Sequence, residues 1–117
     1  MKRLIYHIYH NPRCSKSRQG LALLEESSKD FEVIKYLENV PTITELEDII
    51  AKLGIKPLDL VRKNEAIWKS DYKGKSLTDK QIVEAMIAYP KLIERPIVVN
   101  GNKVVVGRPP KNILNII

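Results

Sequence analysis

At 117 residues, with 44% hydrophobic and 29% charged side chains, the chain suits one soluble globular domain with a single modest core. No run approaches the ~20 apolar residues of a membrane span. The stretch after Met1-Lys2-Arg3 is too short for a signal peptide and carries His7, so a cytoplasmic protein is expected. The net charge of +6 comes from scattered lysines without a block of like charge, which speaks against a nucleic-acid tail and leaves an acidic partner or an anionic small substrate.

Residues 4 to 9 read as a strand rich in β-branched and aromatic side chains, broken by His10-Asn11-Pro12. A helix is expected from just after Cys14 to about Ser28, with Leu21, Leu24 and Ala22 on its apolar face. Phe31 to Leu37 alternates as a second strand, which completes a βαβ unit with parallel strands and a right-handed crossover. Thr42-Ile43-Thr44-Glu45 and Thr78-Asp79-Lys80-Gln81 both fit capping boxes. The first opens a helix with Leu46, Ile49, Ile50 and Leu53 on one face, ended by Gly54. The second opens one carrying Ile82, Ala85, Met86 and Tyr89. Pro57 can start a short helix through Val61, and Lys69 to Ser76 reads as an exposed loop. Ile97-Val98-Val99 and Lys103 to Val106 flank the tight turn Asn100-Gly101-Asn102 as a hairpin. Lys111 to Ile117 can close the chain as a helix.

The order β-α-β, helices, β-β-α predicts an α/β fold of the thioredoxin-like, or glutaredoxin-like, kind. Its four-stranded mixed sheet would carry flanking helices, with a helical insertion at about 42–95 inside a single domain spanning 1–117. In such a sheet the loop after the first strand lies at a strand's carboxyl end, where ligands bind.

Cys14 sits in that loop. On count alone, a lone cysteine reads first as a small buried hydrophobe. Its position just before a helix favours a different reading, because free N–H groups at a helix start stabilise an anion and lower a thiol's pKa from about 8.5. Arg13 and Arg18 add positive charge, His10 adds more or holds the loop, and Ser15 and Ser17 offer hydroxyls. The same groups have plainer uses: Ser15 as a cap, Arg18 on a solvated face, His10 as a structural hydrogen-bond partner. Cys14-Ser15-Lys16-Ser17 lacks a second thiol, so a dithiol exchange enzyme is excluded and any Cys14 adduct needs an outside thiol for its resolution.

The segment Ile8-Tyr9-His10-Asn11-Pro12-Arg13-Cys14-Ser15-Lys16-Ser17-Arg18 resembles the active-site segment of the glutaredoxin-coupled arsenate reductase family. Leu60-Val61-Arg62-Lys63-Asn64, Glu94-Arg95-Pro96-Ile97-Val98-Val99 and Gly107-Arg108-Pro109-Pro110 resemble further family segments in the same order. The resemblance implies that Cys14 attacks arsenate, that Arg62, Arg95 and Arg108 hold the oxyanion, and that His10 and Ser17 help lower the thiol's pKa. It implies glutathione as co-substrate and glutaredoxin as the partner that releases the product, with no bound cofactor and no metal; a monomer is expected. It also implies a cis peptide at Arg95-Pro96. The chain departs from the best-known arsenate reductases, which have Gly-Thr-Ser where Ser15-Lys16-Ser17 stands here.

Three guanidinium groups suit a multiply charged oxyanion because each donates directed, charge-assisted bonds. Arg95 and Arg108 flank the two antiparallel hairpin strands at matching ends. Arg62, on spacing alone, reads rather as a surface salt-bridge partner. Two other activities compete: an Spx-like regulator that binds RNA polymerase, which typically carries a CxxC switch, and a monothiol glutathione-dependent disulfide reductase, which does not need three arginines.

Overall fold

The computed structural model describes residues 5–27 and 29–117. They pack as two compact units, one running through Asn39 and resuming over Arg95–Ile117, the other formed by Val40–Glu94. Leu4 and Ser28, at the expected edges of the first strand and the first helix, lie outside the described residues.

The first unit is built on β1 (Tyr6–Tyr9), α1 (Ser15–Glu26), β2 (Phe31–Ile34), β3 (Ile97–Asn100) and β4 (Lys103–Val106). The sheet order is β2-β1-β3-β4, with β1 parallel to β2 and antiparallel to β3, and with β3 and β4 forming the hairpin. This is the thioredoxin-like mixed sheet that the element order predicts. Ile8 faces Val33 on one side and Val98 on the other, so it sits at the sheet's centre and is fully buried. The core gathers Tyr6, Ile8, Leu24, Val98, Ile113 and Ile116. The Tyr6 hydroxyl donates to the Ile116 carbonyl at 2.8 Å, which satisfies its polar end inside that core.

Three expectations for this unit are corrected. β2 stops at Ile34 rather than Leu37, because β1 ends at the paired Tyr9 and no partner continues the ladder. The chain turns there instead, with the N–H groups of Glu38 and Asn39 bonded to the Lys35 carbonyl. The last helix is a 3-10 helix over Pro110–Asn115. The buried face of α1 is Ser17, Gly20 and Leu24, whereas Ala22 is exposed. A Cβ on Gly20 would lie 2.8 Å from both Ile113 Cδ1 and Pro96 Cγ, and one on Gly107 would lie 2.8 Å from Pro96 Cγ. The two glycines form a notch that seats Pro96. Both Arg95-Pro96 and Arg108-Pro109 are cis peptides.

The second unit holds α2 (Ile43–Leu53), α3 (Ala66–Asp71) and α4 (Asp79–Ala88), with 3-10 helices at Pro57–Leu60 and Pro90–Leu92. Both capping boxes form: Thr42 with Glu45 at 3.1 and 3.2 Å, Thr78 with Gln81 at 3.1 and 2.8 Å. Gly54 caps α2 in the left-handed conformation at φ 69°, which a residue with a Cβ adopts only at a cost. Leu46, Ile49 and Ile50 of α2 are buried with Ile82, Val83, Ala85 and Met86 of α4. α3 takes the first residues of the expected Lys69–Ser76 loop. Its single buried anchor is Trp68, stacked on Tyr72 at 5.4 Å between ring centroids, too little for a helical period to show. Tyr89 lies beyond the end of α4 and is exposed.

Candidate active site

The loop from His10 to Cys14 is shaped by Asn11. Its side-chain oxygen accepts the Arg13 N–H at 3.0 Å, and its carbonyl accepts the Cys14 N–H at 3.0 Å, a side-chain turn of the kind Asn forms readily. Arg18 reaches back from α1 and donates from Nη1 to the Pro12 carbonyl at 3.0 Å. Pro12 limits the loop further, and α1 starts at Ser15 with Cys14 as its N-cap residue. The thiol therefore stands where the helix exposes its unpaired N–H groups.

Beneath the loop, Ser17 is fully buried and its hydroxyl oxygen accepts the Asn11 N–H at 2.9 Å. The same oxygen lies 2.7 Å from His10 Nδ1. Burial lowers the His10 pKa, a hydrogen bond to the Ser17 backbone opposes that, and the charges of Lys35 and Arg18 lower it again; the net position is below the ordinary 6.5. The ring is thus neutral at pH 7. The arrangement that satisfies all three groups has the Ser17 hydroxyl donating to Nδ1 while it accepts from Asn11. The contact between His10 and Ser17 ties the end of β1 to α1.

Cys14 is partly buried, and burial on its own raises its pKa. The backbone N–H of Ser17, the charge of Arg95, the N–H of Lys16 and a side-chain hydrogen bond from Arg95 outweigh that, so the thiol lies below the ordinary value. No side-chain hydrogen bond caps the start of α1. The gain from these donors belongs to the anion.

Arg95 is the most telling neighbour. Only 8% of its surface is exposed, yet Nε and Nη1 have no hydrogen-bond partner among the described residues. A buried donor without an acceptor is costly, the more so on a charged group. Pro96, held in the Gly20–Gly107 notch against α1, fixes the backbone from which Arg95 projects toward the thiol. The result is a thiol with a lowered pKa beside a buried guanidinium, an arrangement suited to an oxyanion.

The other arginines fare differently. Arg108 lies in the same unit, exposed just after β4, where its carbonyl accepts from Asn112. Arg62 belongs to the second unit. Its N–H donates to the Leu92 carbonyl at 2.7 Å, and its guanidinium lies 2.6 Å from Glu65 and 3.6 Å from Glu94. The salt-bridge use of Arg62 is thus realised. Asn11, Gly20 and Gly107 shape the site without carrying its charge; Asn-Pro, three residues before the cysteine, is the local signal for the first. Glu65, the partner of Arg62, stands three residues beyond it. Among the described residues, no group of His, Cys, Asp and Glu side chains could hold a metal ion, and no helix is long and apolar enough to cross a membrane.

Comparison with known proteins matches residues 9–116 to the ArsC family. The chain belongs to that family. It is 43% identical to an arsenate reductase of Neisseria meningitidis serogroup A over 91% of this chain and 92% of the relative. It is 40% identical to an arsenate reductase of Haemophilus influenzae, covering 94% and 97%. The solved arsenate reductase from Vibrio cholerae superposes with a TM-score of 0.94 at 43% identity, covering 99% of this chain and all of that one. The matched region of this ArsC-family chain begins at Tyr9, the last residue of β1, and takes in the cysteine-bearing loop and the rest of the sheet.

Proposed function

We propose that this protein is an arsenate reductase that draws its electrons from glutathione and glutaredoxin. The observation that carries this reading is the lowered thiol of Cys14 beside a buried Arg95 with two unpaired donor groups. Arsenate is a tetrahedral oxyanion that brings the acceptors those donors lack. The names of the relatives support the same substrate.

The Cys14 thiolate attacks arsenic, an S–As bond forms, and an arsenate oxygen leaves as water after protonation. Arg95 stabilises the charge on the remaining oxygens. Glutathione sulfur then displaces a second oxygen, again as water. A glutaredoxin thiol attacks the glutathione sulfur, forming an S–S bond and breaking S–As, and the electron pair stays on arsenic. Arsenic is thereby reduced from the pentavalent to the trivalent state, and the two thiols are oxidised to a mixed disulfide. Water releases arsenite and returns Cys14 as a thiolate. Because the chain has no second thiol near Cys14, both electrons come from outside, which suits a reducing, cytoplasmic setting. Of the three arginines that the resemblance assigns to the oxyanion, Arg95 has the surroundings that support the role.

The test is NADPH consumption with arsenate, glutathione, glutaredoxin and glutathione reductase. Wild type should turn over and Cys14→Ser should fall to background. Equal rates for the two proteins would refute the reading.

A further inference from the structure

A cleft of about 280 Å³ lies beside the active-site loop within the first unit. Its walls include His10, Pro12 and Arg13 from that loop and Lys35, Leu37 and Glu38 from the turn after β2. Nothing in the chemistry at Cys14 and Arg95 uses these residues. We propose that this cleft is the subsite for glutathione, with Arg13 and Lys35 pairing its two carboxylates and Glu38 its ammonium.

The argument is one of charge, size and place. Glutathione carries two carboxylates and one ammonium at neutral pH. The cleft offers two cationic side chains and one carboxylate, with Leu37 and Pro12 as apolar wall. A volume of about 280 Å³ is just under the usual range of ligand clefts, roughly 300–1,000 Å³, which suits a small ligand held mainly by its charged ends. Arg13 immediately precedes Cys14 in the chain, so a peptide held there lies within one residue's reach of the nucleophile. The turn that ends β2 at Ile34 also acquires a purpose: a strand continued to Leu37 would alternate Lys35 and Leu37 away from Tyr36 and Glu38. As built, the turn brings Lys35, Leu37 and Glu38 to one cleft, and the charge of Lys35 is felt at His10. Binding the thiol co-substrate by its charged ends leaves its sulfur free to approach arsenic on Cys14.

This inference rests on the glutathione-dependent reading, and its test separates the two. S-methylglutathione has a capped sulfur and cannot react, so it reports binding alone. Titrated into the ¹⁵N-labelled protein, it should shift the amide signals of Arg13, Lys35, Leu37 and Glu38. The double variant Arg13→Ala/Lys35→Ala should bind it about tenfold more weakly or worse, since two charge-assisted contacts are lost. Glu38→Gln should weaken S-methylglutathione but not glutarate, a dicarboxylate without an ammonium. Shifts confined to other residues, or unchanged affinity in the double variant, would overturn the subsite. So would glutarate binding as tightly as S-methylglutathione with Glu38→Gln silent, which is plain anion attraction by a chain of charge +6. A protein that binds S-methylglutathione in the cleft but reduces no arsenate keeps the subsite and loses the reaction. One that reduces arsenate with a glutathione KM untouched by the double variant keeps the reaction and loses the subsite.

Discussion

Arg95 and Cys14 form a pair whose energetics can be isolated by replacing each, alone and together. Arg95 is buried with Nε and Nη1 unpaired, and leaving a buried donor unsatisfied costs about 1–3 kcal/mol. Against that stands its contact with the Cys14 thiolate, a charge-assisted bond worth about 1.5–3 kcal/mol. In a Cys14→Ser background the thiolate is gone and only the cost remains. There, Arg95→Met should stabilise the protein by about 1–3 kcal/mol, since an apolar chain of similar length fills the space without orphaned donors. In the wild-type background the same substitution gains that amount and loses the thiolate contact, so the net change should be near zero.

The coupling between the two sites should therefore be about 1.5–3 kcal/mol. Urea unfolding of the four proteins at pH 8, in a buffer free of phosphate and other oxyanions, measures it. The same Arg95→Met protein should lose about tenfold in its rate of Cys14 alkylation by iodoacetamide at pH 7, because ~1.4 kcal/mol of thiolate stabilisation is a factor of ten in thiolate population. If the two substitutions add within about 0.5 kcal/mol, Arg95 and Cys14 do not act on each other and the oxyanion site as drawn here is wrong.

Ser17→Ala removes the hydroxyl that serves both the Asn11 N–H and His10 Nδ1, and should cost about 1–3 kcal/mol in urea unfolding. Ser17→Cys, which restores a weak donor and acceptor, should cost less; equal losses would argue against that network. Gly20→Ala gains about 1 kcal/mol of helix propensity but drives a methyl to 2.8 Å from Pro96 and Ile113, an overpacking that costs about 1–3 kcal/mol. A net loss of stability with slower Cys14 alkylation is expected, and a more stable, equally reactive variant would show that the notch does not hold Arg95 in place. The His10 pKa is lowered on folding, so the unfolded chain takes up a proton that the folded one refuses. The stability this represents is complete above about 6.5 and declines as pH falls from there through the folded value. His10→Gln should flatten the pH dependence of unfolding in that window; an unchanged slope would assign the loss to another group.

How much of this could be read in advance differs by residue, and the differences have physical causes. The capping boxes at Thr42 and Thr78 and the turn at Gly54 were legible because each is a local device whose partners lie within four residues. The sheet order was legible because a βαβ unit and a tight hairpin leave few topologies. The end of β2 was not, because Phe31 to Leu37 has strand composition throughout and only the length of its neighbour β1 decides where pairing stops. α3 was hidden for the reason that one buried Trp makes no period. At the site, Cys14 could be placed at a helix start from sequence, but the sign of His10's contribution could not. That depended on burial beside Lys35 and Arg18, which left the ring neutral.

The arginines make the sharpest case. Three of them stand in motif positions and carry the same charge, and the sequence ranks them only by distance along the chain. The structure separates Arg62 from Arg95 by what surrounds each guanidinium. Arg62 is met by Glu65 and Glu94, so its charge is already answered by protein carboxylates. Arg95 is buried with no carboxylate beside it in any ion pair among the described residues, and two of its donor groups are unpaired. A buried cation in that condition lowers stability unless an anion completes it, and Cys14 supplies one such anion. An added oxyanion should therefore raise the unfolding midpoint of the wild-type protein and leave that of Arg95→Met unchanged, with arsenate and phosphate as the probes. Equal stabilisation of both proteins would trace the effect to the chain's general positive charge rather than to Arg95.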